Sequence, residues 1–154
     1  MMRFLAVTSV CWLFPCFLPG WQGDARAEAP LASPEGLWKT VDDHTGAPRA
    51  LVRIYREGEA YFGRIEASLV PEEADARCSA CEGERKDQPV VGMVIVRNMK
   101  AEKDGYGGGD VLDPESGSVY DCVLHLEGEG RRLILRGYIG LSLFGRSQTW
   151  QRAD

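Results

Sequence analysis

Residues 107–152 read GGGDVLDPESGSVYDCVLHLEGEGRRLILRGYIGLSLFGRSQTWQR, and this stretch decides the fold. Its apolar-rich runs are divided by two turn signals, Asp113-Pro114-Glu115-Ser116-Gly117 and Gly128-Glu129-Gly130. Proline fixes φ, and glycine and aspartate tolerate the angles that reverse a chain, so such clusters between apolar runs mark turns between strands. The spacing predicts an antiparallel meander over residues 110–112, 118–127, 132–140 and 142–152.

Upstream, residues 36–41 open a first strand that ends at the polar turn Asp42-Asp43-His44-Thr45-Gly46. Residues 50–56 alternate, with Val52 and Ile54 against Arg53 and Tyr55, the period of two of a half-buried strand. Glu57-Gly58-Glu59 turns that run into residues 60–69, and the two read as a hairpin. Residues 90–99 are apolar again and read as a fourth strand or a short buried segment. The polar, glycine-rich residues 100–109 read as a loop. Residues 71–89 are a charged excursion with room for one helical turn at 72–77. About eight short antiparallel strands and no helix of three turns follow, so the fold class is all-β. Eighteen glycines, many inside strand patterns, favour a small up-and-down β-barrel with sharp corners over a sandwich.

The two ends of the strand pattern support closure. Gly36-Leu37-Trp38 opens the first strand and Trp150-Gln151-Arg152 closes the last. In a closed meander these strands pair. Arg152 then covers Trp38 near the barrel floor, a cation–π contact worth about 0.5–2 kcal/mol. Trp38, Arg152 and the turn residue Asp113 are the expected structural residues. The Gly-x-Trp start and the terminal arginine are similar to the signature of the lipocalin-like (calycin) barrels.

Met1-Met2-Arg3 gives a basic start, residues 4–19 form an apolar run too short to span a bilayer, and Ala25-Arg26-Ala27 is an A-x-A cleavage site. Residues 1–27 therefore read as a cleaved signal peptide, 28–34 as a flexible linker and 35–154 as a single β-barrel domain. Pro15 stands where a lipoprotein processing site needs a small residue before Cys16. The expected location is periplasmic or secreted. The whole chain has 18 Lys+Arg against 23 Asp+Glu, a formal net charge of −5. Losing Arg3, Asp24 and Arg26 moves this to about −6. An acidic chain does not suit nucleic acid, whose phosphates require a basic surface. No second apolar stretch reaches membrane-helix length, so no membrane insertion is expected. The chain is expected to act as a monomer.

Signal removal takes Cys11 and Cys16 and leaves Cys78, Cys81 and Cys122. In an oxidising compartment a disulfide is the default, here Cys78–Cys81, with Cys122 left over. A catalytic redox pair would need positive charge or a helix N-terminus to stabilise its thiolate. Glu82 and Glu84 sit beside the pair instead. Cys78, Cys81, Cys122 and His125 also suggest zinc, since cysteines two residues apart have metal-ligand spacing. But Cys122 and His125, three apart on one strand, face opposite sides of the sheet. Three cysteines plus water stay open as an alternative; the expectation is a disulfide and no metal.

No catalytic set assembles. Asp113-Pro114 reads as a turn. His44 and His125 lack serine or aspartate partners, no Gly-x-Ser-x-Gly elbow is present, and Gly107-Gly108-Gly109 lacks the lysine of a phosphate loop. The protein is expected not to be an enzyme and to need no cofactor. Arg136 lies mid-strand. If Leu133, Leu135 and Ile139 face inward, Arg136 faces outward with Tyr138. A bulge at Gly137 would turn Arg136 into the lumen, where it would pair with a ligand carboxylate.

From Gly36-Leu37-Trp38-Lys39-Thr40, the chain runs through Thr45-Gly46, Cys78-x-x-Cys81, Gly-Gly-x-x-Leu-Asp-Pro at 108–114 and Tyr120-x-Cys122. It ends with Arg136-Gly137-Tyr138-Ile139-Gly140 and Phe144-Gly145-Arg146-x-Gln148-x-Trp150-x-Arg152. This order resembles a family of small exported bacterial proteins, the "domain of unknown function 2147" family. The resemblance implies a β-rich, lipocalin-like domain outside the cytoplasm and implies no activity. The expected function is non-catalytic binding of a small, partly apolar ligand or a peptide. Trp38, Tyr120, Arg136, Tyr138 and Trp150 are the candidate binding residues. The second reading is a structural or interaction protein with a filled barrel, acting through its charged, cysteine-containing loop. A lumen of several hundred Å³, roughly the ligand-pocket range, separates the two.

Overall fold

The computed structural model describes residues 33–42, 44–141 and 145–154. Within them eight strands run β1 (Gly36–Val41), β2 (Pro48–Glu57), β3 (Ala60–Ser68), β4 (Val94–Glu102), β5 (Gly105–Leu112), β6 (Val119–Glu127), β7 (Arg132–Tyr138) and β8 (Gly145–Arg152). Each pairs antiparallel with the next, and β8 returns to β1, so the sheet closes into an up-and-down barrel. The helical content is two short 3-10 turns, Pro71–Glu73 and Gly83–Arg85. The signal-peptide expectation, and residues 28–32 of the expected linker, lie outside the described residues.

Two expectations change. Residues 100–109 are not a loop: β4 continues to Glu102, Lys103-Asp104 makes a tight turn, and β5 begins at Gly105. Glycine here serves close approach within a strand pair rather than loop flexibility. A Cβ at Gly109 would meet the Arg97 carbonyl and lie 2.6 Å from Met99 Sδ. The β4–β5 pair keeps a single register but lacks ladder partners between Arg97↔Asp110 and Lys100↔Gly107, where Asn98 and Gly108 both take positive φ. Ser33 and Pro34, assigned to the linker, belong to the closed end of the barrel. The Pro34 carbonyl accepts a 2.8 Å hydrogen bond from Trp38 Nε1, and the Ser33 carbonyl accepts one of 2.9 Å from Arg152 Nη2.

Strand alternation fills the lower interior with large apolar side chains. Trp38, Val52, Met99, Leu124 and Leu133 have no exposure to solvent, and Ile54 and Trp150 almost none. At roughly 1.5–3 kcal/mol for each fully buried large side chain, this packed floor is the main source of stability. The turns at this end are tight: Gly58-Glu59, Lys103-Asp104 and residues 128–131. The wide connections, residues 42–47, 69–93, 113–118 and the β7–β8 link, all lie at the opposite end. The topology therefore makes a barrel with a closed floor and an open mouth.

Candidate ligand-binding cavity

Above the packed floor the barrel holds a cavity of about 920 Å³. Trp150, Val52 and Leu135 form its base; Ile65, Ile95, Val111 and Leu112 form its apolar walls; Thr40, Tyr120 and Gln148 add neutral polar groups. Such a volume, apolar at its base and walls and polar towards its mouth, falls within the range of small-molecule sites. The β1–β8 ladder contributes to the opening. It holds only the pairs Trp38↔Arg152 and Lys39↔Gln151, and above them Thr40 and Val41 of β1 and Gly145 and Arg146 of β8 all face the cavity.

The mouth is framed by charged residues that fasten the loops to one another. Arg49, at the start of β2, pairs with Glu73 at 3.2 Å and with Glu115, so one guanidinium joins the 69–93 excursion to the 113–118 turn. Cys78 and Cys81 are disulfide-bonded and buried, with Cα atoms 5.3 Å apart. Cys78 Sγ lies 3.1 Å from the Pro114 carbonyl oxygen. Gly117, at φ +72°, leaves no room for a Cβ beneath the Ala80 carbonyl, which explains a glycine at that position. Asp113 closes its turn as the sequence suggests, accepting from the Glu115 amide at 3.0 Å and the Ser116 hydroxyl at 2.8 Å. Asp42 does the same for the β1–β2 turn. Hydrogen bonds from the Thr45 amide and hydroxyl and from the His44 amide hold its carboxyl below the ordinary value. Exposed apolar side chains, Ile139 and Leu141 above all, stand on the same rim.

Of the five candidate binding residues, Tyr120, Tyr138 and Trp150 line the cavity. Trp38 lies deeper, fully buried at the floor, and does not reach the cavity surface. Arg136 sits on the outer wall opposite Ser147 of β8, donating from Nη1 to its hydroxyl at 3.1 Å. The β7–β8 register is unbroken through Gly137, so no bulge turns Arg136 inward. Gln148 and Gly137 line the cavity and stood outside that set. The signal for Gln148 was present: it is two residues from Trp150 on one strand and so shares its face. Gly137 gave no signal of its own, because a glycine carries meaning only through the neighbours that crowd or spare it.

The cysteines offer no reactive centre in this geometry. Cys122 is a free, fully buried thiol, and burial, aided by Asp110, pushes it up to about 12. His125 on the same strand is exposed, with Nδ1 2.9 Å from the Asp104 carbonyl oxygen. The two side chains occupy opposite faces of the wall. Among the described residues no three His, Cys, Asp or Glu side chains come together. A second hollow, about 140 Å³ beside Glu102 and His125, is too small for a drug-sized molecule.

The profile of the bacterial family described as "Uncharacterized protein conserved in bacteria (DUF2147)" matches residues 36–152. Among solved structures, the barrel superposes on protein HP1028 from the human pathogen Helicobacter pylori, described as belonging to the lipocalin family. The TM-score is 0.66 at 15% identity, over 80% of this chain and 84% of that one. The likeness is one of fold. No curated protein matches the chain.

Proposed function

This chain belongs to that uncharacterised bacterial family, and from its lipocalin-like barrel we propose a non-catalytic carrier that holds one small, partly apolar molecule in the lumen. The cavity of about 920 Å³ carries the proposal. A lumen filled by side chains would have favoured the alternative, an interaction protein acting through residues 71–89. That excursion is instead fastened to the mouth by Arg49 and by the packing of the disulfide turn on residues 113–117, so its role in this reading is to shape the rim.

The protein acts as a monomer outside the cytoplasm, after removal of residues 1–27. Supporting this are the disulfide, suited to an oxidising compartment, and the basic-apolar-Ala25-Arg26-Ala27 start. N-terminal sequencing of the exported form should begin at Glu28; a start at Met1 contradicts the export reading. The binding reading is tested by native mass spectrometry of protein purified gently from the producing cell. One non-covalent adduct of a few hundred daltons, absent after denaturation, is expected. Bare chain alone in every preparation overturns the reading.

A further inference from the structure

Strand β8 carries a polarity gradient up the cavity wall. Trp150, Gln148 and Arg146 have Leu133, Leu135 and Gly137 of β7 as their register partners. Leu133, Leu135 and Trp150 are buried in the interior, and cross-strand partners share a face, so Arg146 belongs to the inner face. All three β8 residues line the cavity. At roughly 3.4 Å per residue, Arg146 stands about 14 Å above Trp150, at the mouth. Its β7 partner is a glycine, so that strand contributes no side chain opposite the guanidinium. Trp150 Nε1 donates to Gln148 Oε1 at 3.2 Å. The indole N–H is thereby satisfied, and the ring offers the cavity an apolar surface. From base to mouth the face runs aromatic ring, neutral amide, cation.

The count of charged groups at the mouth does not decide which sign a ligand carries; their engagements do. Among the described residues, the carboxylates lining the cavity are those of Asp42, Glu73, Asp113 and Glu115. Glu73 and Glu115 both pair with Arg49. Asp42 and Asp113 accept hydrogen bonds from their own turns. All four carboxylates are thus committed to protein donors. Arg77, also at the rim, donates from Nη1 to the Asp87 carbonyl at 2.8 Å, inside its own loop. Arg146 has a partner too, but a guanidinium carries five N–H donors, which one partner does not exhaust. It is the cation in line with the apolar wall above Trp150.

We infer that the ligand is an elongated amphiphile with one carboxylate end, which pairs with Arg146 while the apolar body runs down β8 to Trp150. The planar fork of a guanidinium matches the two oxygens of a carboxylate. One guanidinium on that face matches one negative charge. A cationic end would meet Arg146 with like charge and find the carboxylates already engaged. This inference rests on the carrier reading and names the ligand class it takes.

The test compares three probes with one apolar chain by isothermal titration at neutral pH: decanoate, decan-1-ol and decyltrimethylammonium. Arg146 is exposed, so its pairing falls at the low end for a charge-assisted bond. Wild type should bind decanoate about tenfold more tightly than the alcohol, and the ammonium no more tightly than the alcohol. The decanoate preference should narrow as salt is raised. Arg146→Gln should abolish it while affinity for the alcohol is retained, and Arg146→Lys should restore only part, because an ammonium lacks the fork. If Arg146→Gln fails to fold, Arg146→Met carries the comparison. Arg77→Gln, on the 69–93 excursion of the same rim, should leave the preference in place. Equal binding of decanoate and alcohol by wild type, tighter binding of the ammonium, or a preference that survives replacement of Arg146 overturns the anchor and leaves the carrier reading intact. So does equal loss of the preference in Arg77→Gln, which would mark a general effect of rim charge. If none of the three probes binds, the carrier reading and the anchor fall together.

Discussion

The guanidinium of Arg152 lies 4.3 Å from the ring centroid of Trp38, and the two are register partners in the strand pair that closes the barrel. The same guanidinium donates to three backbone carbonyls: Gly130 from Nε at 2.8 Å, Glu35 from Nη1 at 2.8 Å and Ser33 from Nη2 at 2.9 Å. One side chain thus ties β8, the β6–β7 turn and the segment before β1 over a buried tryptophan. Gly36, at φ +139°, is required beneath it, because a Cβ there would collide with Nη1.

Arg152→Ala should therefore cost about 2–3 kcal/mol, well above the half kcal/mol or so of an ordinary surface change. Arg152→Lys should recover little, since an ammonium does not reproduce the planar fork. Chemical denaturation of Arg152→Ala, Trp38→Phe and the double variant should show coupling of at least about 0.5 kcal/mol. Additive effects would mean the contact contributes nothing.

Thiol titration distinguishes the three cysteines that remain in a chain lacking residues 1–27. Denatured without reductant, it should expose one thiol, that of Cys122. In the native state at pH 8 that thiol should react slowly with an alkylating reagent, because it is fully buried and its pKa is pushed up. Rapid native labelling, or three thiols after denaturation, contradicts this arrangement.

Cys122 also gives stability a pH dependence. Its folded pKa of about 12 lies above the roughly 8.5 of an unfolded thiol. Below about pH 8.5 both states hold the proton and the contribution is complete. As pH rises towards 12 the unfolded state releases its proton first, and stability is lost, on the order of 2 kcal/mol by pH 10. Tyr106, raised mainly by burial, acts in the same direction at higher pH. Denaturation midpoints from pH 7 to 11 should fall less steeply for Cys122→Val than for wild type. Parallel curves would remove Cys122 as the cause.

Arg49→Ala separates local from global effects. The Arg49 and Glu73 side chains are 32% and 42% exposed, so the ion pair should add no more than about 1 kcal/mol to overall stability. Losing it frees both the 69–93 excursion and the 113–118 turn. Hydrogen exchange should quicken at amides of those two segments and remain unchanged on the floor strands. Uniform exchange across the barrel would mean the rim is held by other contacts.

The barrel was legible because its strands obey a period of two and its turns carry Asp, Pro and Gly where the backbone reverses. The Trp38–Arg152 contact followed from closure alone, since the ends of a closed meander must meet. Residues 100–109 were misread because Gly107 and Gly109 serve close approach to β4, a tertiary reason that composition does not reveal. The binding set was only partly legible for a related reason. Alternation says which residues share a face, which would have found Gln148, but not how deep each lies. Trp38 and Trp150 look alike in sequence, yet one is packed into the floor and the other forms the base of the cavity.

The central claim is that this barrel is a container, and Trp150 allows that to be measured directly. In the chain without residues 1–27, Trp38→Phe leaves Trp150 as the sole tryptophan, and it lies at the base of the cavity. Titration of that variant with N-phenyl-1-naphthylamine should give saturable quenching at one molecule per chain, and Leu135→Trp placed in wild type to fill the lumen should abolish probe uptake. Absence of quenching, or equal probe uptake by the filled barrel, would contradict the account.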